Sequence, residues 1–392
     1  MTRHALVVFA LVLAAMTSLV LSGARAADRN FAGSAQLDYH YVATHNGNLN
    51  AGTGKYGFDG LTLEATAKVA VDVSDRLSAN VKVCFGCHGF EADMAYLDYR
   101  VADELNIRVG RFSPSFGSFN LRHDVANHKL SDKPLPYDMG RMLRLRAWNM
   151  GVLPSPFPDN GIEINGTHWF GDRAQLDYAA YAVAGFRSLE KHPLDIDFRQ
   201  SRTPFYIDNN GLPTVGGRVA FTYKLGELSD ITVGASGMYG HYDATNDLAY
   251  AIFGGDFVLR VRRTSFRMEY LARRTQIDAT GNVLALAAPA SGRDHFIKHG
   301  AYVEIEQPVT RNLDLILRVD GMLRIGNYAV DTSGETPITQ RSQVVRYTLG
   351  TYYAFEHGFR LKASGEVWQF SDADDDGRSI ELGMHLAFVG TF

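Results

Sequence analysis

The sequence has little of what several classes of exported or membrane protein require. Only two of its 392 residues are cysteines and 12 are prolines, so it is not a disulfide-stapled scaffold. After residue 26 no apolar run approaches the ~20 residues that a transmembrane helix needs. The net charge of −4 at pH 7 gives no general affinity for nucleic acid. These absences are compatible with a fold in which many short segments each bury a small apolar surface.

The N-terminal residues have the features of a secretory signal peptide. Arg3 supplies a basic start, residues 5–20 are a nearly unbroken apolar run, and Ala24–Ala26 has the A-x-A form of a cleavage site. We therefore expect residues 1–26 to be removed and the mature chain to comprise residues 27–392. A membrane anchor is the weaker alternative, because polar residues interrupt the run and no stop-transfer pattern follows.

Alternation of apolar and polar residues recurs along nearly the whole mature chain. In 380–392, one parity is apolar and the other includes Glu381 and His385, which predicts a strand with one face in lipid and one in a polar lumen. A terminal strand that closes on phenylalanine, here Phe392, resembles that of bacterial outer-membrane proteins. About sixteen such segments occur, at 31–44, 60–74, 77–88, 91–101, 104–113, 160–170, 173–186, 214–226, 229–240, 249–259, 262–273, 295–306, 313–324, 343–355, 358–369 and 380–392.

The connections between these segments alternate between short and long. Turns such as 74–76 and 171–172 contrast with loops such as 114–159 and 187–213. This rhythm is typical of barrels with short periplasmic turns and long extracellular loops. We therefore predict an all-β fold, a transmembrane antiparallel β-barrel of about 16 strands in the bacterial outer membrane. A soluble β-sandwich is the alternative, but it does not require this loop rhythm.

The parity of the strands also predicts which side chains line the pore. Rings of charge of one sign select the opposite ion, so an inward excess of arginine indicates anionic solutes. The alternative is that these side chains pair with carboxylates and only stabilise the wall. The predicted lining residues are Arg108, Arg218, Arg260, Arg267, Arg318, Arg346 and Arg360.

The longest loop, 114–159, is expected to have a function of its own, because loops of this length are uncommon in compact domains. We expect it to fold into the barrel and to place Arg141, Arg144 and Arg146 near a constriction, on one side of an extended segment. An external lid is the alternative.

Residues 95–100, followed by 105–117 with the sequence LNIRVGRFSPSFG, resemble the corresponding strand pair of the phosphate-selective O/P-type porins. The resemblance covers about twenty residues. It implies a sixteen-stranded, often trimeric, anion-favouring channel, and hence a homotrimer among outer-membrane lipids. It does not identify phosphate as the solute, and arginine dominates here where that family usually has lysine.

The two cysteines form the motif Cys84-Phe85-Gly86-Cys87-His88, which has the C-x-x-C-H spelling of a c-type haem attachment site. One reading is covalent haem c, with His88 as iron ligand and His123, His128 or Met139 as second ligand. The other is a disulfide between Cys84 and Cys87 at a hairpin tip, which suits an oxidising compartment. Apart from a possible haem iron no metal is expected, because four zinc ligands at the usual spacing are not visible.

The motif and the barrel together give a looser resemblance to fused cytochrome–porins, which move electrons across the outer membrane. The position differs from that family, because here two predicted strands precede Cys84 and no helix is apparent. One haem at the outer rim would leave most of a ~25 Å apolar band to cross, so electron transfer would require a periplasmic cytochrome as partner. No spacing in the chain indicates a catalytic Ser/His/Asp constellation, so an enzyme is not expected. The leading prediction is a porin for passive diffusion of small hydrophilic, anionic solutes, and the alternative is a haem-bearing barrel for electron transfer.

Overall fold

A computed structural model gives the conformation of most of the mature chain. It describes residues 29–44, 57–86, 89–138, 151–153, 155–188, 196, 208–277, 284–285, 295–326, 329–331, 337–338, 341–372 and 379–392. The predicted signal peptide, 1–26, lies outside the described residues. So do Cys87, His88, Met139, Arg141, Arg144 and Arg146.

Sixteen antiparallel strands form one closed barrel, which confirms the fold predicted from the alternation. The last strand pairs with the first, from Ser34 opposite Thr391 to Thr44 opposite Glu381, so the sheet has no free edge. The strands are β1 Arg29–Thr44, β2 Gly57–Ser74, β3 Leu77–Gly86, β4 Gly89–Ala102, β5 Leu105–Phe112, β6 Asp159–Phe170, β7 Ala174–Val183, β8 Thr214–Gly226, β9 Ser229–His241, β10 Ala249–Val261, β11 Thr264–Gln276, β12 His295–Pro308, β13 Leu313–Gly326, β14 Arg341–Ala354, β15 Phe359–Asp372 and β16 Ser379–Thr391.

Little other regular structure is present in the described part of the chain. Leu284–Ala285, Ala329–Asp331 and Pro337–Ile338 form a small separate sheet. Three short 3-10 turns cover Asn120–Arg122, Leu135–Tyr137 and Glu356–Gly358. Within these ranges, no helix has the length and apolar character needed to cross a membrane.

The period-two pattern separates the two faces of the wall as predicted. In β16, Ile380, Met384 and Phe388 are exposed on the outside, whereas Glu381 and His385 are buried on the inside. The outer face is apolar around the barrel because successive side chains of a strand point to opposite sides of the sheet. This outer surface has the character of a lipid-facing band.

The two rims of the barrel differ in their connections. One rim carries short turns, including the two-residue turn at Arg262, whose φ of 55° lies in the left-handed region, as tight hairpin turns of this kind require. The start of β1 and the end of β16 lie at this rim, as expected for an even number of strands. The opposite rim carries the long loops and also the tight hairpin expected at the cysteine motif, where two residues separate β3, ending at Gly86, from β4, starting at Gly89.

Candidate functional site

The described part of the segment between β5 and β6 lies inside the barrel. Its described residues are 113–138, 151–153 and 155–158. They contact inward-facing side chains of β1, β3, β6, β9 and β11 to β15. Small wall residues allow the approach: a Cβ at Gly300 would lie 2.9 Å from atoms of Pro136 and Val152. We call this stretch the lumen segment.

Glu269 of β11 binds the lumen segment at two places, around Ser118 and at Tyr137. Its carboxylate accepts hydrogen bonds from the backbone N–H groups of Ser118 (2.8 Å) and Phe119 (3.1 Å), and from the hydroxyls of Tyr137 and Tyr302. Four donors on one buried carboxylate satisfy it without a cation. Because these donors come from two parts of the segment, Glu269 ties them to one point on the wall.

Asp132 attaches the lumen segment to β13 and β14, two and three strands from Glu269. Its Oδ2 accepts from Nη2 of Arg318 (2.6 Å) and from Arg346, and Arg346 also donates to Asp320 through Nε (2.9 Å). Burial alone would raise the pKa of Asp132, but the two guanidinium groups lower it well below its usual value. Leu135 N–H donates to Asp320 at 2.9 Å and extends the attachment. Breaking such a buried charge network costs about 3–5 kcal/mol.

A third attachment lies beside β3. Lys82 Nζ is 2.9 Å from a carboxylate oxygen of Asp93 and also pairs with Asp124 of the lumen segment. His123 Nδ1 lies 2.7 Å from the carbonyl oxygen of Asn120, which can only accept, so Nδ1 carries the proton. Its Nε2 therefore accepts from Lys82 Nζ at 3.2 Å. The imidazole is neutral and both of its nitrogens have partners.

A buried lysine completes the attachment near the closing seam. Lys362 Nζ donates to the carbonyl oxygens of Val125 (2.7 Å) and Leu130 (3.1 Å) and to Gln36 Oε1 (3.1 Å). Gly350 makes room beside it, because a Cβ there would lie 2.3 Å from Leu130 Cδ2. The lumen segment is thus attached around most of the barrel circumference.

The arginines predicted to line the pore all lie on the inner face, and the structure gives each an acceptor. This pairing is the arrangement expected if the arginines stabilise the wall. The pairs are Arg108 with Asp98 and Glu163, Arg218 with Asp256, Arg260 with Asp230, Arg267 with Glu306, Arg318 and Arg346 with Asp132, and Arg360 with the Ala126 carbonyl.

The structure reveals a row of three inward basic residues that was not singled out from the sequence. Arg273 of β11 pairs in register with Lys298 of β12, and Lys298 pairs with Arg324 of β13. All three are buried within the barrel, and the Arg324 guanidinium lies 3.7 Å from the centre of the Phe296 ring. Like charges directly opposite each other destabilise a sheet. The same parity rule that placed Arg267 and Arg318 inside would have found this row.

Of the two cysteines and the histidine of the motif, only Cys84 is among the described residues. Cys84 has the lumen parity and lies between Thr66 and Glu91 on the neighbouring strands. Of the expected second ligands, His123 has both ring nitrogens engaged, and His128 Nδ1 lies 2.8 Å from the carbonyl of Leu130. The described residues therefore present no complete haem site. With Cys87, His88 and Met139 outside the described part, both haem attachment and a disulfide stay predictions.

From the two buried histidines, His123 and His128, we predict that acid weakens the attachment of the lumen segment. Burial and the charge of Lys82 lower the pKa of His123 to about 4, and burial also lowers that of His128. Because the free imidazole has a pKa near 6.5, the released segment binds more protons, so attachment weakens as pH falls from about 6.5 to about 4. For His123 alone the loss is on the order of 3 kcal/mol. Channel conductance should therefore rise as the pH falls through this interval.

The measurement is conductance against pH for the parent and for a His123→Gln, His128→Gln variant. The carboxylates of Asp124 and Asp132 have lowered pKa values, so they titrate below this interval and do not account for the change. An equal pH response in the variant would contradict the assignment to the histidines.

Comparisons with known proteins give the fold a precedent. No protein-family model matches the chain, and a search of curated proteins found no relative. The structure is similar to an anion-selective porin from Comamonas acidovorans (12% identity, TM-score 0.56, covering 93% of this chain and 100% of that one). It is also similar to the outer-membrane channel DcaP of Acinetobacter baumannii (15% identity, TM-score 0.54, covering 93% of this chain and 97% of that one). A third similar structure is OmpT, an outer-membrane protein of Vibrio cholerae (10% identity, TM-score 0.53, covering 95% of this chain and 99% of that one).

At these identities the likeness shows the fold, which is that of bacterial outer-membrane porins and channels. The barrel, its transmembrane strands and its resemblance to porins are thereby confirmed. The finer resemblance to the phosphate-selective O/P-type porins stays a prediction.

Proposed function

We propose that the protein is an outer-membrane porin for the passive diffusion of small hydrophilic solutes, with a preference for anions, and that it is not an enzyme. The observation that carries the proposal is the row of Arg273, Lys298 and Arg324 on the inner face of a closed barrel. One of the similar structures is itself an anion-selective porin. We expect the barrel to assemble as a homotrimer in the outer membrane, as the resemblance to the phosphate-selective O/P-type porins implies.

We attribute the preference for anions to three inward bases that neighbour one another across the sheet. The arginines that attach the lumen segment face carboxylates at short distance, so their fields are largely cancelled along the pathway. In the three-membered row each neighbour in register across the strands is another base or an uncharged residue: Ile252 lies on one side of Arg273, and Ser342 on the far side of Arg324. Three bases at one level of the inner face give that level a positive field, which favours a passing anion over a cation.

The lumen segment sets the width of the pathway in this proposal. The row lies nearer the long-loop rim than Glu269 does, since Arg273 is four residues further along β11 toward that rim. At a rise of about 3.4 Å per residue, the row stands roughly 13 Å along the strand from this attachment point. A solute that enters from the long-loop side therefore meets the basic row first and the lumen segment second.

Planar-bilayer recording on the purified protein tests the function. We expect discrete conductance steps and, under a tenfold KCl gradient, a reversal potential of the sign that indicates chloride permeation. Absence of channel activity would overturn the porin assignment, and a cation-selective reversal potential would overturn the anion preference alone. A Soret band in the absorption spectrum of the same sample would instead support a covalent haem.

A further inference from the structure

One large aromatic side chain of the wall is exposed toward the interior of the barrel at its short-turn end. Trp169 lies on β6 with the same parity as Glu163 and Thr167, which face inward, and it is 46% exposed. Among the described strand residues, the other inward aromatic rings, such as those of Tyr181 and Trp368, are buried or half-buried. An exposed indole on a polar inner wall forgoes the stabilisation of burial. It therefore indicates a surface against which a solute can pack.

A lysine of β8 lies over this ring. Lys224 Nζ is 4.5 Å from the centre of the Trp169 ring, within the range of a cation–π contact. The turn before β7 is held beside the lysine, because the Lys224 N–H donates to the carbonyl oxygen of Arg173 at 2.8 Å. Lys224 is exposed, and within the described part of the chain no carboxylate lies at ion-pair distance from its Nζ. Its charge therefore stays available to an anion.

Uncharged polar groups lie between the tryptophan and the lysine. Trp169 is opposite Gln175 on β7, and Gln175 is opposite Thr222 on β8. Gln175 Nε2 donates to both carboxylate oxygens of Asp177 (2.7 and 2.9 Å), so its Oε1 can accept from a ligand. The hydroxyls of Thr222 and Thr232 are 2.8 Å apart, and a hydroxyl can both donate and accept. This part of the wall suits a ligand that carries hydroxyl groups.

We propose that Trp169, Lys224, Gln175 and Thr222 form a binding subsite for an acidic sugar, a pyranose ring that carries a carboxylate. One face of a pyranose consists mainly of C–H groups and can pack on an indole. The hydroxyls at the edge of the sugar hydrogen-bond to the amide and hydroxyl groups of the wall, and the carboxylate pairs with Lys224. A small inorganic anion would use the lysine alone. The inference rests on the proposed porin function and names a solute class for it.

The subsite is separate from the contacts that hold the lumen segment. The nearest such contact on β6 is Glu163, whose carboxylate accepts from the Ser115 N–H at 2.8 Å. Trp169 is six residues further toward the short-turn rim, or roughly 20 Å along the strand at about 3.4 Å per residue. Substitutions at the subsite therefore leave the lumen segment attached.

Tryptophan fluorescence of the purified barrel in neutral detergent, titrated with D-glucuronate, tests the proposal. The chain has three tryptophans, and Trp368 is fully buried. We expect a saturable change in emission with a dissociation constant on the order of 1 mM, as for a small ligand of ordinary efficiency. The response should disappear in Trp169→Phe, which keeps an aromatic ring in the wall. It should persist in the matched variant Trp148→Phe, and the reverse pattern would overturn the assignment to Trp169.

Two lysine variants isolate the contribution of the charge. Lys224→Gln should weaken the binding of glucuronate about two- to fivefold, the range for one exposed ion pair, and should leave the binding of D-glucose unchanged. The matched control is Lys68→Gln, which removes an exposed inward lysine from β2 and should bind like the parent. An equal loss in both variants would contradict the role given to Lys224.

Three other solutes separate the sugar ring from its charge. D-glucose should bind more weakly than glucuronate by the same factor, acetate at equal ionic strength should give no response, and benzoate should bind more weakly than glucuronate. Tighter binding of benzoate, which would indicate a flat aromatic acid, would overturn the proposal, and so would the absence of a saturable response to both sugars. Because emission and not conductance is measured, a barrel that conducts anions without this response would refute the subsite and leave the porin function standing.

Discussion

Replacement of Asp132 by alanine is expected to release the part of the lumen segment around residue 132 and to raise the single-channel conductance at least about twofold. The substitution removes the acceptor shared by Arg318 and Arg346 and leaves two buried guanidinium groups with fewer acceptors. Removal of one member of a buried ion network destabilises by about 3–5 kcal/mol. The hydrogen bonds between the barrel strands do not involve Asp132. The substitution therefore weakens the attachment of the lumen segment and not the barrel itself.

The informative control is Asp124→Ala in the same segment. Asp124 is one-third exposed and shares Lys82 with Asp93, so its loss leaves the lysine paired, and conductance should change little. Bilayer recording of both variants, with thermal unfolding followed in parallel, separates segment release from loss of the barrel. If Asp132→Ala kept the parent conductance with an intact barrel, the lumen segment would not limit the pathway.

The strands were predictable from sequence because their signal is local. Lipid on one side and polar surroundings on the other impose a period of two on every strand, and each of the sixteen predicted segments overlaps one observed strand. The final strand shows this clearly: predicted at 380–392, it spans Ser379–Thr391. Closure then follows from an even count and from the need to pair both edges.

The attachments inside the barrel were not predictable in the same way. Asp132 and Arg318 are separated by 186 residues, and Tyr137 and Glu269 by 132. The parity of a strand residue tells which face of the sheet its side chain occupies, but not which other part of the chain packs against it. Sequence therefore placed Arg318 and Arg346 inside correctly, and only the course of the lumen segment shows that they bind a loop carboxylate.

The row of Arg273, Lys298 and Arg324 leads to the second large effect. Replacement of all three by glutamine is expected to lower the ratio of anion to cation permeability roughly tenfold. At about 10 Å and an effective dielectric constant between about 40 and 80, each charge contributes roughly 0.4–0.8 kcal/mol to the energy of a passing ion. Three such contributions add to about 1.2–2.4 kcal/mol, and 1.4 kcal/mol is a factor of ten. The reversal potential under a KCl gradient measures the change.

A charge-conserving variant distinguishes this electrostatic effect from damage to the barrel. Arg273→Lys, Arg324→Lys keeps three positive charges in the row but loses the planar guanidinium groups, including the one stacked on Phe296. If the row acts through charge, this variant retains the anion preference and the glutamine variant loses it. If both variants lost it alike, the guanidinium geometry rather than the charge would determine selectivity. If neither did, the preference would have to arise from other parts of the pathway, and the row would be a structural feature of the wall.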